Sequence, residues 1–211
     1  MMVKRTKKNT RKPGKNVRKK INVFLDLDNT LIYSIDIDKI PKNNPPKWMK
    51  KFKSHKMDDN YIIFERPGLR PFLNWLFKNF NVSIWSAASP EYVEFIAKNI
   101  VENKKKGRIL EYVLNSDNCE DSQLKYGEDI IKNLELVWDV HDLEGFGPLN
   151  TLIIDDLKQV TSIQPNNSIR IKKFIARQDS LKDKELQDVK KKLIEVKKNF
   201  KNVNKQSFKL L

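Results

Sequence analysis

The stretch Ile21-Asn22-Val23-Phe24-Leu25-Asp26-Leu27-Asp28-Asn29-Thr30 sets a short apolar run directly in front of two carboxylates. A run that is apolar at consecutive positions, ending in a polar edge, suits a strand covered on both faces of a parallel sheet. Residues 82–86 and 151–155 repeat the pattern, and each ends in side chains able to bind phosphate or metal: Ser86, and Asp155 with Asp156. Residues 109–114 and 168–174 read as two further strands.

Helix signals separate these runs. Phe72, Leu73, Leu76, Phe77 and Phe80 form an apolar face at helical spacing over 71–80. Ser89-Pro90-Glu91 supplies an N-cap, a first-turn proline and an acid favoured by the helix dipole. The helix it opens would bury Val93, Ile96, Ala97 and Ile100, and Gly107 after three lysines breaks it. Residues 130–136 sit near a short helix. After Asp179-Ser180 a final helix is expected, docked on the body through Leu186, Val189, Leu193, Val196 and Phe200. Residues 34–60, rich in Lys and Asn and holding Pro41, Pro45 and Pro46, are the least regular part and form an insertion over the sheet's carboxyl edge. The alternation predicts an α/β fold: a three-layer, Rossmann-like domain with a mainly parallel central sheet and an insertion after the first strand. Ligands of such sheets bind beyond the carboxyl ends of the strands, where all three polar strand ends converge.

The site residues suit phosphoryl transfer. Asp-x-Asp-x-Thr alone arises by chance in on the order of a few per cent of chains this long. At the end of an apolar strand, however, two carboxylates resist desolvation unless a cation lies beside them. Mg²⁺ fits, as a hard ion that takes one or two carboxylates, waters and phosphate oxygens. Asp26 would attack phosphorus, and Asp28, carried round a turn, would serve as general acid and then base. Thr30 would support the turn or orient Asp28, and Ser86 would donate to the phosphoryl oxygens. A fixed cation is also needed, with Lys132 and Lys158 as candidates. Of Asp155 and Asp156, one would complete the metal shell and the other hold the lysine. His55 and His141 lack the cysteine cluster of a structural zinc site.

The formal net charge of +15 belongs to the ends. Residues 1–20 carry ten Lys/Arg and no acid, residues 182–211 ten against four, and 21–181 a near-neutral 22 against 23. Residues 1–19 are expected to be a disordered basic arm. Residues 1–20 are therefore a candidate nucleic-acid contact or nuclear address. Residues 20–178 would be the catalytic domain, and 179–211 a helix and basic tail. No apolar run approaches the ~20 residues of a membrane-spanning helix. The single cysteine, Cys119, and the lack of an apolar leader suggest an intracellular setting without membrane association.

Asp26-Leu27-Asp28-Asn29-Thr30-Leu31-Ile32 resembles the first motif of the haloacid-dehalogenase (HAD) superfamily. Further segments, in order, resemble its FCP/SCP branch of RNA polymerase II C-terminal-domain phosphatases, the NLI-interacting-factor-like phosphatases. These are Glu65-Arg66-Pro67-Gly68-Leu69 with Phe72-Leu73, Ile84-Trp85-Ser86-Ala87-Ala88 with Tyr92, Asn118-Cys119, Lys132-Asn133-Leu134, Ile154-Asp155-Asp156, and Gln164-Pro165-Asn166-Asn167. The resemblance spans roughly 21–175 and implies a HAD-like phosphatase acting through an aspartyl-phosphate on a phosphorylated protein or peptide. It implies Asp26 as nucleophile, Asp28 as acid/base, and Mg²⁺ held by Asp26, the Asp28 carbonyl and Asp156. It also favours Lys132 over Lys158, with Lys132 and Ser86 on the phosphate and Asp155 paired with Lys132. The family usually has Asn where Asp156 stands and Thr where Ser86 stands. Two other readings remain: a phosphatase of nucleic-acid ends, and a non-catalytic binding module like one relative in mitochondrial protein import.

Overall fold

The computed structural model describes residues 20–207 and the pair Lys4–Arg5, with the backbone alone for that pair and for 201–207. Lys4–Arg5 form strand β1, antiparallel to a strand deep in the chain. At Lys4–Arg5 the chain thus departs from the disorder expected over 1–19, and the rest of the arm lies outside the described residues. Order begins with β2 (Asn22–Leu25), in which all four side chains are buried. Three strands form a separate antiparallel sheet: β3 (Ile32–Asp36), β4 (Ser54–Met57) and β5 (Tyr61–Glu65).

Then come α1 (Leu69–Asn79), β6 (Asn81–Trp85), α2 (Pro90–Ile96) running into a π-helical turn over Ala97–Val101, β7 (Tyr112–Leu114), α3 (Ser116–Tyr126), a short π-helical segment Leu136–Val140, β8 (Thr151–Asp155), α4 (Lys158–Ser162), β9 (Ser168–Arg170) and α5 (Glu185–Ser207). The main sheet runs β1-β7-β6-β2-β8-β9, parallel throughout except at β1. The expected α/β architecture with its mainly parallel sheet is therefore present, with β2 at its centre.

Alternation along β2 divides the core. Val23 and Leu25 join Ile84 and Ile154 in a cluster with Leu73 and Leu76 of α1, Val93 and Ile96 of α2, and Leu186, Val189 and Leu193 of α5. Phe24 points the other way, into a cluster with Trp85, Leu134, Val137, Ile153 and Val160. Each face is apolar because each meets helices, which is why the strand reads as an unbroken apolar run. The final helix docks through the residues expected of it.

The insertion differs from expectation. Residues 34–60 are not irregular throughout: β3 and β4 flank β5 as a three-stranded sheet, while residues 37–53 between them form only short 3-10 turns and loop, as expected of the least regular part. Phe52 and Phe64 pack there against Phe174 and Ala176 of the segment after β9. β3 and β4 are half exposed and β4 reads Ser-His-Lys-Met, so neither shows an apolar period. A charged knot closes the sheet against α1: the buried Glu65 accepts from Arg70 (Nε, 2.8 Å) and from His55 (2.6 Å), and Arg70 also donates to the Ile100 carbonyl. Burial alone would raise the Glu65 carboxyl, but hydrogen bonds from Arg70 and His55 outweigh it and hold it below its ordinary value. α3 was not foreseen either; it opens on a capping box between Asn115 and Asn118.

Candidate active site

β2 stops at Leu25, and the chain turns before it can continue as a strand. The amides of Thr30 and Leu31 donate to the Leu27 carbonyl, and the Asn29 amide donates to Ile32 (2.8 Å). Asn29 holds a φ of 61°, a left-handed conformation that Asn tolerates better than most residues. The chain after β9 locks this turn: the Phe174 amide donates to the Asn29 carbonyl (2.6 Å) and the Asn29 side chain donates to the Phe174 carbonyl (2.9 Å). From below, Arg66 donates to the Thr30 carbonyl (2.9 Å), to the Lys172 carbonyl (2.9 Å) and, through two nitrogens, to Asp183. Asp26 and Asp28 thus sit on a loop held from three sides.

Lys132 reaches this loop from the segment before Leu136–Val140. Its ammonium, 1% exposed, donates to Asp26 Oδ1 (2.7 Å) and Asp155 Oδ2 (2.8 Å). Burial alone would drive the amine down; the charges of Asp26 and Asp155 overcome that and hold it as ammonium above its ordinary range. Two polar side chains clamp the lysine-bearing segment. Gln164 donates to the Lys132 carbonyl and accepts from the Leu134 amide, while Ser122 donates to the Ile130 carbonyl and accepts from the Asn133 amide. Gln164 stood within a recognised motif but carried no assigned task, and Ser122 gave no signal. Lys158 is exposed at the start of α4 and holds no such position.

The paired aspartates after β8 divide. Asp155 is fully committed, Oδ2 to Lys132 and Oδ1 to the Leu157 amide (2.8 Å). Asp156 is the one left open. Carboxylate oxygens of Asp26, Asp155 and Asp156 lie within 4.8 Å of one another, with one ammonium among them. Burial and the nearby Asp26 charge raise the carboxyls of both Asp155 and Asp156. Asp26 Oδ2 is buried and has no hydrogen-bond partner among the described residues. A crowded set of hard oxygen donors with one orphaned carboxylate oxygen fits a small divalent cation.

Asp28 stands apart from that cluster. Burial pushes its carboxyl up to about 6, with the Tyr92 hydrogen bond opposing and Asp26 reinforcing. Tyr92, not Thr30, holds it: the phenol donates to Asp28 Oδ1 at 2.6 Å. The Thr30 hydroxyl is buried without a hydrogen-bond partner among the described residues. Ser86 directly follows β6, the strand beside β2, and its hydroxyl accepts from the Ala88 amide (3.1 Å). The buried Cys119 thiol donates to the Ser86 carbonyl, and burial pushes that thiol up to about 11, which leaves it unreactive.

The sequence model of the NLI interacting factor-like phosphatases matches residues 21–204. The putative CTD phosphatase-like protein 355R of Invertebrate iridescent virus 3 is 40% identical over 187 residues, covering 84% of this chain and 97% of that protein. An FCP1 homology domain-containing protein of Schizosaccharomyces pombe, C1271.03c, is 32% identical over 122 residues, covering 54% and 50%. Among solved structures, Fcp1, an essential RNA polymerase II CTD phosphatase, superposes with a TM-score of 0.51 at 17% identity over 74% of this chain and 43% of that one. Fission yeast Fcp1-R271A bound to beryllium fluoride gives 0.51 at 18%, over 85% and 51%. The chain thus spans about half the length of those two structures, and the likeness to them is one of fold. No helix among the described residues is long and apolar enough to cross a membrane.

Proposed function

This chain belongs to the family of NLI interacting factor-like phosphatases, and on that premise we propose that it is a Mg²⁺-dependent phosphoprotein phosphatase working through an aspartyl-phosphate. The observation that carries the reading is Asp26: one carboxylate oxygen is held by a buried ammonium at 2.7 Å and the other is buried with no hydrogen-bond partner among the described residues. A carboxylate held by one oxygen on a fixed ammonium is oriented for attack through the other.

Asp26 adds to phosphorus as the ester P–O bond breaks, and Asp28 hands its proton to the departing oxygen. A buried Asp28 that titrates near 6 carries a proton more readily than an ordinary aspartate. Asp28 then takes a proton from water as that water attacks phosphorus, releasing inorganic phosphate and the Asp26 carboxylate. Lys132, with Ser86, and Thr30 through its free hydroxyl, bind the phosphoryl oxygens. Asp155 keeps Lys132 charged and in place. Asp26, the Asp28 main-chain carbonyl and Asp156 would hold Mg²⁺, which supplies positive charge to the phosphoryl group when bound.

For substrate we propose an extended, proline-containing segment carrying phosphoserine or phosphothreonine, of the polymerase C-terminal-domain kind. The names of relatives support this class, and the insertion sheet stands beside the site as a surface for such a chain. The test compares Mg²⁺-dependent hydrolysis of p-nitrophenyl phosphate by wild type and Asp26→Asn. An inactive wild type, or a variant that keeps its rate, refutes the mechanism. Turnover of a phosphoserine heptad peptide against a 3′-phosphorylated oligonucleotide decides the substrate class, and preference for the oligonucleotide overturns the peptide assignment.

A further inference from the structure

Tyr92 and Ser34 belong to different parts of the fold, yet their hydroxyls meet beside Asp28. Tyr92 lies in the first turn of α2, whose N-cap Ser89 accepts from the Tyr92 amide. Ser34 lies in β3, the strand that begins the insertion. The phenol has a single proton, and its 2.6 Å contact with Asp28 Oδ1 uses it. In the short contact between the two hydroxyls Ser34 must therefore donate to the Tyr92 oxygen. A phenol keeps its proton throughout the neutral range, so Tyr92 acts as a donor there. The ring is 8% exposed and fixed by edge contact with Tyr61 of β5, centroids 5.8 Å apart. The result is a one-way chain, Ser34 to Tyr92 to Asp28 Oδ1, running from the insertion sheet into the turn.

The chain has a chemical consequence. With Oδ1 accepting from the phenol, the proton that Asp28 carries is favoured on Oδ2, because the carbonyl oxygen of a protonated carboxyl is the better acceptor; Oδ2 receives no hydrogen bond among the described residues. We propose that Tyr92, backed by Ser34, is a positioning residue: it commits one Asp28 oxygen so that the other delivers the proton to the leaving oxygen. The inference rests on the reading of Asp28 as general acid. In the step concerned, the Asp28 Oδ2–H bond breaks and an O–H bond forms on the leaving oxygen. The electron pair of the breaking P–O bond stays with that oxygen, and phosphorus passes to Asp26. Because Ser34 is part of the insertion, a displacement of that sheet would change how well the acid is aimed. The two hydroxyls thus join the insertion sheet to the proposed proton donor.

The readout is sensitivity to leaving-group acidity. Proton donation matters little to a good leaving group and much to a poor one. The rate constant kcat/KM reports the first chemical step and is not masked by hydrolysis of the aspartyl-phosphate. It would be measured for wild type, Tyr92→Phe, Ser34→Ala and Asp28→Asn on p-nitrophenyl phosphate and on unsubstituted phenyl phosphate, two substrates of similar bulk. Tyr92→Phe keeps the ring and removes the donor, and it should raise the p-nitrophenyl to phenyl ratio by about 10-fold, part of the ~10²–10⁴ that a general acid supplies. Ser34→Ala should raise it in the same direction by about 3-fold. Equal losses on both substrates in Tyr92→Phe would mean a packing role and overturn the inference, as would an unchanged ratio. If Asp28→Asn leaves the ratio unchanged, the acid assignment itself fails. If Asp28→Asn raises it and Tyr92→Phe does not, only the positioning role fails.

Discussion

Replacing Lys132 with Met removes the buried ammonium paired with Asp26 and Asp155 from a site that packs three carboxylates within 4.8 Å. Each of its two ion pairs, at 2.7 and 2.8 Å, has a gross attraction of about 6 kcal/mol at an effective dielectric of about 20. Desolvating the ammonium offsets several kcal/mol of that. Deleting the lysine does not recover the full offset, because Asp26 and Asp155, 6% and 0% exposed, stay buried and face each other without a cation. Breaking a buried pair from one side costs about 3–5 kcal/mol. For a domain of this size each kcal/mol lowers Tm by about 2–4 °C, so Lys132→Met should melt about 6–20 °C below wild type. Circular dichroism melts at pH 7 without divalent ions give the number, and adding Mg²⁺ should recover more in the variant than it adds to wild type. Phosphatase activity should fall by about 10²–10³, as for loss of one fixed donor at a developing negative charge. A variant that melts within about 2 °C of wild type, or keeps a tenth of its activity, would refute the account of the lysine as the fixed charge of the site.

Three other perturbations follow from the same contacts. Arg66→Lys should lower the urea midpoint by the equivalent of about 2–4 kcal/mol, since an ammonium cannot serve Asp183, Thr30 and Lys172 together as the planar guanidinium does; a shift below about 1 kcal/mol counts against that. Glu65, held below its ordinary value in the fold, contributes stability that is full above the unfolded carboxyl's ~4.3 and lost as pH falls through the lower folded value, so urea midpoints from pH 6 to 3 should fall less steeply for Glu65→Gln; parallel curves would contradict this. Asp156→Asn should melt no lower than wild type without metal, because it removes a carboxyl that Asp26 repels, and should show a smaller Mg²⁺-induced rise in Tm. A tenfold loss of affinity corresponds to about 1.4 kcal/mol and hence about 3–6 °C, and an unaltered rise would exclude Asp156 as a ligand.

The central strands were legible because burial on both faces leaves no alternative to an apolar run, and Asp26, Asp28, Asp155 and Asp156 were legible because carboxylates at such strand ends need a reason. Lys132 was not separable from its many neighbours by composition, since what marks it is burial at 1%, a property of the assembled fold. Only the family resemblance of Lys132-Asn133-Leu134 singles it out in the sequence. The insertion sheet was hidden for the opposite reason. β4 is mostly polar, and β3 and β5 bury only part of their surface on the small Phe52–Phe64–Phe174 cluster, so only Tyr61-Ile62-Ile63-Phe64 carried a usable signal. The clamps made by Ser122 and Gln164, and the approach of Tyr92 to Asp28, join residues 8 to 64 positions apart through single hydrogen bonds, which leave no periodic trace.

Charge explains why the parts must act together. Asp26, Asp155 and Asp156 against Lys132 leave an excess of two negative charges where a phosphate dianion has to arrive. At about 5 Å and a dielectric of about 20, two such doubly charged groups repel by about 13 kcal/mol, enough to prevent binding altogether. A divalent cation bound to Asp26 and Asp156 brings the centre to neutrality, and Asn in place of Asp156 would leave it positive. The Asp28 carboxyl, lifted to about 6 by burial, adds less negative charge than an ordinary aspartate, which suits the acid role proposed for it. Lys173, on the segment that locks the Asn29 turn, places a further positive charge near Asp156. If the centre takes a divalent cation as proposed, the extra carboxylate of Asp156 would make it more dependent on that ion than a centre with asparagine, because without the ion it would repel an incoming phosphate.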